Sequence, residues 1–248
     1  LKSSILFNRL LAPGIYQMAF SCADIARSAS PGQFVHIKLN DSGHILRRPF
    51  SISNIIGDIV YIVYQVRGSG TLIISRLKSG DEIDVIGPLG RGFDISRTKN
   101  RALIVGGGLG IAPLLYLSRM LSNKSEVFLG YKDHLFLVEE FEHPIVSTET
   151  GISGYRGFVT DALKEYLESS PMADIIYACG PVGMLKAVKS ISQHYGIPCQ
   201  VSLEERMGCG IGACLVCSCK IKAEDGWHYM RVCADGPVFM ADEVIFDD

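Results

Sequence analysis

Arg101-Ala102-Leu103-Ile104-Val105-Gly106-Gly107-Gly108-Leu109-Gly110-Ile111-Ala112-Pro113 is the stretch on which the fold turns. A short apolar run ends in glycines, and apolar residues then recur at helical spacing from Pro113 to Leu121, which reads as strand, glycine turn, helix. Such a turn lets backbone approach a pyrophosphate and aims helix N-terminal N–H groups at it. Pro113 suits the first helical turn, where its missing N–H costs nothing. The glycines depart from a strict G-x-G-x-x-G, and a tight turn with no ligand stays open on these residues alone.

Working outward toward the C-terminus, Glu126–Gly130 reads as a strand, Val159–Leu167 as a helix, Asp174–Ala178 as a strand and Met184–His194 as a helix. Strands alternating with helices imply a parallel sheet covered on both faces. A second turn, Cys179-Gly180-Pro181, follows the strand at 174–178, so both turns belong at the carboxyl edge of one sheet, where ligands bind in open α/β folds. A thiol there can touch a nicotinamide ring, although a lone Cys is more often a small buried residue. Asp133 after the second strand suits a ribose hydroxyl and Lys132 a 2′-phosphate, so the pair leaves NAD and NADP undivided.

Toward the N-terminus the texture is different. Gly32–Leu39, Phe50–Ser53 and Ile59–Val66 read as short strands punctuated by Gly57-Asp58, Ser79-Gly80 and Gly87-Pro88, the pattern of a small antiparallel barrel. Within it, Arg47-Arg48-Pro49-Phe50-Ser51 offers an Arg to a diphosphate, an aromatic to a flavin ring and a hydroxyl to a flavin nitrogen, and equally suits a strand with solvated charges. Gly68-Ser69-Gly70-Thr71, ahead of a helix-like run from Leu72 to Leu77, is another phosphate-compatible turn.

From about Gln200 the helical pattern stops. Of the eight cysteines, Cys22, Cys179 and Cys199 are scattered, while Cys209, Cys214, Cys217, Cys219 and Cys233 crowd the tail. Cys209-x4-Cys214-x2-Cys217, then Cys233 after fifteen residues, matches the plant-type spacing of a [2Fe-2S] centre. Gly210, Gly212 and Ala213 leave room for backbone N–H groups to face the sulfurs. Four zinc ligands or reduced structural thiols are the other readings of these cysteines. Cys219 is read as a non-ligand.

The whole is a multidomain β plus α/β chain: an N-terminal antiparallel β-barrel over 1–96, a Rossmann-like parallel α/β domain over 97–199 and a small cysteine-rich domain over 200–248. Composition agrees, since 48% of residues are hydrophobic and enough to fill cores. With 24 Lys+Arg against 26 Asp+Glu there is no basic excess for nucleic acid or an anionic membrane surface. No apolar run reaches a membrane span of about 18–20 residues, and Leu1-Lys2-Ser3-Ser4 lacks the shape of a signal peptide, so a soluble cytoplasmic protein is expected. A start at Leu1 suggests that a few residues are missing or processed.

Taken in order, Arg48-Pro49-Phe50-Ser51, Gly68-Ser69-Gly70-Thr71, Gly106 to Pro113 and Cys179-Gly180-Pro181 resemble the ferredoxin-NADP+ reductase superfamily, with Phe50 where that superfamily usually has Tyr. The tail, Glu204 to Cys217 and Arg231-Val232-Cys233-Ala234-Asp235-Gly236-Pro237-Val238-Phe239, resembles the electron-transfer subunits of class 1B dihydroorotate dehydrogenase over essentially the whole chain.

The resemblance implies FAD at Arg48, Pro49, Phe50, Ser51, Val63, Tyr64, Gln65, Gly70 and Thr71. It implies NAD at Gly106, Gly107, Gly108, Gly110, Ala112, Pro113, Cys179, Gly180 and Pro181, and a [2Fe-2S] cluster on Cys209, Cys214, Cys217 and Cys233. It also implies an FMN-containing catalytic partner that oxidises dihydroorotate, in a heterotetramer of two catalytic and two electron-transfer subunits, with NAD+ as final acceptor. No acid–base residue of this chain is expected. Reductases serving a hydrogenase, an oxygenase or ferredoxin share much of the layout, and a zinc-stabilised interaction module is the non-enzymatic alternative.

Overall fold

The computed structural model describes residues 1–39, 43–169 and 172–246. Its first part contains β1 (Lys2–Ala12), β2 (Ile15–Ser21), α1 (Ala23–Ser28), β3 (Phe34–Lys38), β4 (Arg48–Ile56), β5 (Ile59–Gln65), α2 (Ser69–Ser75) and β6 (Glu82–Leu89). The strands close into an antiparallel barrel in the order β1-β2-β5-β4-β3-β6. Two-residue turns join β1 to β2 and β4 to β5, with Gly14 at φ 71° and Gly57 at φ 57° supplying the left-handed backbone that tight hairpins need. Side chains alternate along each strand: on β3, Val35 and Ile37 fill the barrel with Phe50, Ile52, Ile62 and Tyr64, whereas Phe34 packs outward into the core of the next unit.

The second part holds β7 (Ala102–Gly107), α3 (Ile111–Leu121), β8 (Ser125–Tyr131), β9 (Ile145–Thr148), β10 (Tyr155–Arg156), α4 (Val159–Ser169), β11 (Ile175–Cys179), α5 (Val182–Tyr195) and β12 (Cys199–Ser202). The tail adds β13 (Ser218–Ala223), β14 (Gly226–Arg231), β15 (Val238–Met240) and β16 (Val244–Ile245). Six parallel strands run β10-β9-β8-β7-β11-β12, and β15 completes the sheet as an antiparallel edge, Val201 opposite Phe239. Every residue of β7 is buried, as expected of a central parallel strand covered on both faces. One face carries α3 over Ile104 and Tyr177, the other α4 and α5 over Leu103 and Ile176. The remaining tail strands form a three-stranded sheet, β14-β13-β16.

The parts share apolar cores, Phe34 packing with the tail and Val63 with α3, and specific hydrogen bonds join them as well. Tyr177 Oη donates to the Asp94 carbonyl at 2.9 Å, and Gln200 Oε1 accepts from Asp94 N at 3.0 Å, fastening the connector after the barrel. Arg91 N donates to Gly236 O at 2.6 Å, and Gly90 lies where a Cβ would come within 2.6 Å of Pro237, so the barrel rim and the tail turn fit only backbone to backbone. The expected division at 199/200 runs through β12. Strand pairing keeps Cys199–Ser202 with the parallel sheet, and we place the start of the tail after Ser202.

Candidate functional site: a flavin face, a nucleotide edge and a cysteine loop

Of the two adjacent arginines, Arg47 closes the barrel: Nη2 meets Asp84 Oδ2 at 2.8 Å and Nη1 donates to Asp84 O at 2.9 Å, joining the chain just before β4 to β6. Asp84 is held below the usual carboxylate range, chiefly by that hydrogen bond. Arg48 makes a different contact, its Nη1 donating to the Leu46 carbonyl. Its guanidinium lies against Gly70 at the head of α2, where a Cβ would stand 2.6 Å from Nε. Thr71 Oγ1 accepts from Arg67 N at 2.9 Å and caps the same turn. A cation and a glycine-bearing turn thus share one rim, a cradle suited to a diphosphate.

Phe50 and Tyr64 point into the barrel. Their rings meet edge to face inside the barrel at 5.5 Å, and Tyr64 Oη donates to Asn8 Oδ1 at 2.9 Å, so these rings are barrel core. Pro49 and Ser51 occupy the outer face of β4, opposite His36 and Phe34. Val63 packs outward against the α3 side of the sheet, and Gln65 Oε1 accepts from Arg67 Nε at 2.9 Å.

The two glycine turns come together. β7 and β11 pair in parallel with Gly106 level with Cys179, so both turns leave the same sheet edge. A Cβ on Gly107 would meet Met184 Sδ at 2.5 Å, one on Gly110 the Cys179 carbonyl at 2.4 Å, and one on Gly180 would lie 3.1 Å from Gly107 N. Gly108 has φ 53° and open space above it. Ala112 and Pro113 are buried in the first turn of α3. The Cys179 thiol is pushed up to about 12 by burial, so it stays protonated and apolar. Lys132 and Asp133 are exposed beyond the end of β8.

The cysteine loop has the most constrained geometry. Backbone N–H groups of Ala213 and Cys214 donate to Cys209 Sγ at 3.2 and 3.4 Å, Cys209 N to Cys214 Sγ at 3.4 Å, Gly212 N to Cys233 Sγ at 3.2 Å and Cys233 N to Cys217 Sγ at 3.4 Å. Gly210 and Gly212, at φ 72° and 84°, make the turns that aim these donors inward. The thiols fall into two hydrogen-bonded pairs, Cys209 with Cys214 and Cys217 with Cys233. Among the described residues no three His, Cys, Asp or Glu side chains close on one ion position. Two pairs of sulfurs ringed by N–H donors fit a two-iron cluster, which takes two ligands on each iron.

The outer pair is accessible and the inner pair buried. Cys209 is drawn down to about 6, first by the N–H of Ile211, while burial pushes Cys233 up to about 12. Cys219 sits within β13 opposite Met230, its thiol pushed up to about 11 by burial. Two features were not singled out from the sequence. Arg231 and Asp235 flank Cys233 as an i,i+4 charge pair, a spacing that the sequence does display. His36 gave no signal at all, being one imidazole in an apolar strand.

A closed antiparallel barrel with an arginine-glycine rim, set against a parallel sheet with paired glycine turns, defines a flavin- and nicotinamide-linked reductase of the ferredoxin reductase fold. The crystal structure of a ferredoxin-NADP+ reductase from Neisseria gonorrhoeae with bound FAD and NADP shares that fold, with a TM-score of 0.63 at 18% identity over 79% of this chain and 91% of that one. An NADH-dependent reduced ferredoxin-NADP oxidoreductase, described for flavin-based electron bifurcation, superposes with a TM-score of 0.87 at 31% identity, covering 98% of this chain and 89% of that one.

Residues 204–245 match the family "Iron-sulfur cluster binding domain of dihydroorotate dehydrogenase B". The electron transfer subunit of dihydroorotate dehydrogenase B (NAD+) from Caldanaerobacter subterraneus is 46% identical over 99% of this chain and 98% of its own, and that of Fusobacterium nucleatum 43% identical over 96% and 95%. The chain belongs to this family of dihydroorotate dehydrogenase B electron transfer subunits.

Proposed function

We infer that this chain is the electron-transfer subunit of an NAD-dependent dihydroorotate dehydrogenase, carrying electrons from a catalytic partner subunit through [2Fe-2S] and FAD to NAD+. The observation that supports it most directly is the loop of five N–H donors around two thiol pairs, packed on the barrel face that carries Ser51 and Pro49.

FAD, when bound, supplies the interconversion of a hydride with single electrons. The residues of this chain bind, orient and exclude water. Arg48 and the Gly68–Thr71 turn hold the flavin diphosphate, and the Ser51 hydroxyl offers a hydrogen bond on the outer face of β4. The turns at Gly106–Gly110 and Cys179–Pro181 present backbone to the nicotinamide nucleotide, and the protonated Cys179 gives its ring an uncharged surface. Cys209, Cys214, Cys217 and Cys233 hold the cluster.

Ile211, Leu215 and Val216 are 62%, 64% and 57% exposed around the accessible Cys214. Apolar side chains ringing a redox centre suit a docking face for the FMN-containing subunit. The working assembly is a heterotetramer of two copies of each subunit, in the cytoplasm. Among the described residues no helix is long and apolar enough to cross a membrane.

The test is a visible spectrum with iron and acid-labile sulfide assays on anaerobically purified chain, alone and mixed with a candidate catalytic subunit. Flavin absorbance, about two irons and two sulfides per chain, and dihydroorotate-dependent NAD+ reduction only in the mixture are expected. Flavin and cluster without coupled activity would assign the electrons to another acceptor; zinc without flavin would overturn the reading.

A further inference from the structure

We propose that His36, a residue of the flavin barrel, reaches the iron-sulfur cluster and holds its reduction potential up by donating a hydrogen bond from Nε2 into the sulfur shell. This rests on the cluster reading above and adds a positioning residue to it from outside the cysteine loop.

The placement follows from strand alternation. Val35 and Ile37 point into the barrel, so Phe34 and His36 point out of it. Phe34 shares one apolar cluster with Cys217 and Cys233, and its ring lies edge-on to His36 at 5.8 Å. His36 is only 1% exposed. Its ring is pressed on Gly210, between the ligand Cys209 and Ile211: a Cβ there would stand 2.4 Å from Cε1, 2.5 Å from Nδ1 and 3.0 Å from Nε2. Gly210 is therefore demanded twice, by its φ of 72° and by the imidazole.

Nε2 is buried and has no hydrogen-bond partner among the described residues. A buried polar atom left so requires a partner that the polypeptide does not supply. The cross-strand neighbours of His36 are Pro49 and Ile86, which offer no side-chain acceptor, and Arg47 reaches only its carbonyl, at 3.5 Å. Burial first, and Arg47 second, hold the imidazole neutral with its pKa lowered to about 4, so one ring nitrogen carries a proton to donate. An N–H aimed at a cluster sulfur stabilises the more negative, reduced cluster and raises its potential. Because Pro49 and Ser51 lie on the same face of the barrel, the flavin is the competing recipient of that proton, and the measurement must separate the two.

The experiment is an EPR-monitored redox titration of the full chain with its flavin and cluster, after iron and sulfide have been assayed in each variant. His36→Leu should shift the cluster midpoint to more negative potential and leave the flavin midpoint in place, and His36→Gln, which keeps a donor, should shift it less. Pulsed EPR of the reduced wild-type chain carrying 15N-histidine should show a labelled ring nitrogen coupled to the cluster, lost in His36→Gln. That wild-type measurement decides the matter if His36→Leu fails to retain iron. An unmoved cluster midpoint, a shift confined to the flavin, or the absence of coupling to labelled histidine overturns the role of His36 while leaving the cluster reading intact. A wild-type chain without iron and sulfide overturns both.

Discussion

Arg231 and Asp235 face each other across Cys233 as a two-pronged ion pair, Nε to Oδ2 at 2.8 Å and Nη2 to Oδ1 at 3.0 Å. The third guanidinium nitrogen, Nη1, donates to Gly212 O at 3.0 Å, so a single side chain ties the Cys209–Cys217 loop to the turn bearing the fourth cysteine. Asp235 is held down to about 2, first by its hydrogen bond from Arg231. Asp235→Asn should loosen the loop and speed loss of iron to a chelator about tenfold, the usual scale for a group that orients a metal ligand. Chelator-driven bleaching followed at the cluster absorbance checks it, and a bleaching rate equal to wild type would sink the idea.

The pair shows how far the sequence could be read. The four cysteines stood out because their spacing is the one a two-iron cluster imposes, and the two glycine turns were legible because strand, glycine and helix follow one another in the chain. The clamp was visible as an i,i+4 charge pair, but its acceptor at Gly212 is nineteen residues away. β1 and β2 lack clean alternation, because a bulge shifts their register between Ile5 and Phe7. β15 was illegible for a different reason. Val238–Met240 is three residues long, and only its pairing with β12 makes it a strand. Phe50, expected against a flavin ring, turns into the barrel because β4 alternation gives the outer face to Pro49 and Ser51.

At the nucleotide edge, Gly110→Ala would drive a methyl to within 2.4 Å of the Cys179 carbonyl, a backbone atom that cannot swing aside. Forced overpacking of this kind costs about 1–3 kcal/mol. The expected result is a melting temperature lower by several degrees and a raised KM for NADH with ferricyanide as acceptor, with the bound-flavin spectrum unchanged. Unaltered KM would place the nucleotide elsewhere.

Arg48→Ala removes the cation over Gly70 without touching the barrel core. Loss of a hydrogen-bonded charge partner at a phosphate costs about 1.5–3 kcal/mol, so FAD affinity should fall roughly 10- to 100-fold. Equilibrium dialysis of apoprotein measures it. Arg47→Ala, by contrast, should lower barrel stability through the lost Asp84 contact more than flavin affinity.

Leu215 carries a left-handed backbone, φ 60°, with its side chain 64% exposed. For a Leu that conformation costs about 1–2 kcal/mol, and a glycine there would lose about 0.5–1 kcal/mol through the freedom of its unfolded chain. Leu215→Gly should therefore leave the melting temperature of the isolated chain unchanged or raise it by up to a few degrees. Affinity for the catalytic subunit should drop by about 5- to 10-fold if the side chain anchors that interface. Calorimetric titration of the two subunits distinguishes this from a purely internal role.

His36 also predicts a pH limb. Its folded pKa, lowered to about 4 from 6.5, lies below the unfolded value, so the unfolded chain binds the extra proton first. Its contribution to stability is complete above pH 6.5 and is lost as pH falls from 6.5 toward 4, up to about 3 kcal/mol. Denaturant unfolding followed by far-UV circular dichroism should slope downward across that window in wild type and less steeply in His36→Gln. Parallel pH profiles would show that other groups set the slope.

β15 gives the cysteine tail a strand in the same sheet that carries the nucleotide turns. The cluster is thus not slung on a tether that swings between donor and acceptor. The gap between it and the flavin is a dimension of the fold, as fixed as the spacing between neighbouring strands. Electron transfer between the two is therefore expected at a rate that solvent viscosity does not slow, leaving the arrival and departure of nucleotide and partner as the steps that viscosity should slow.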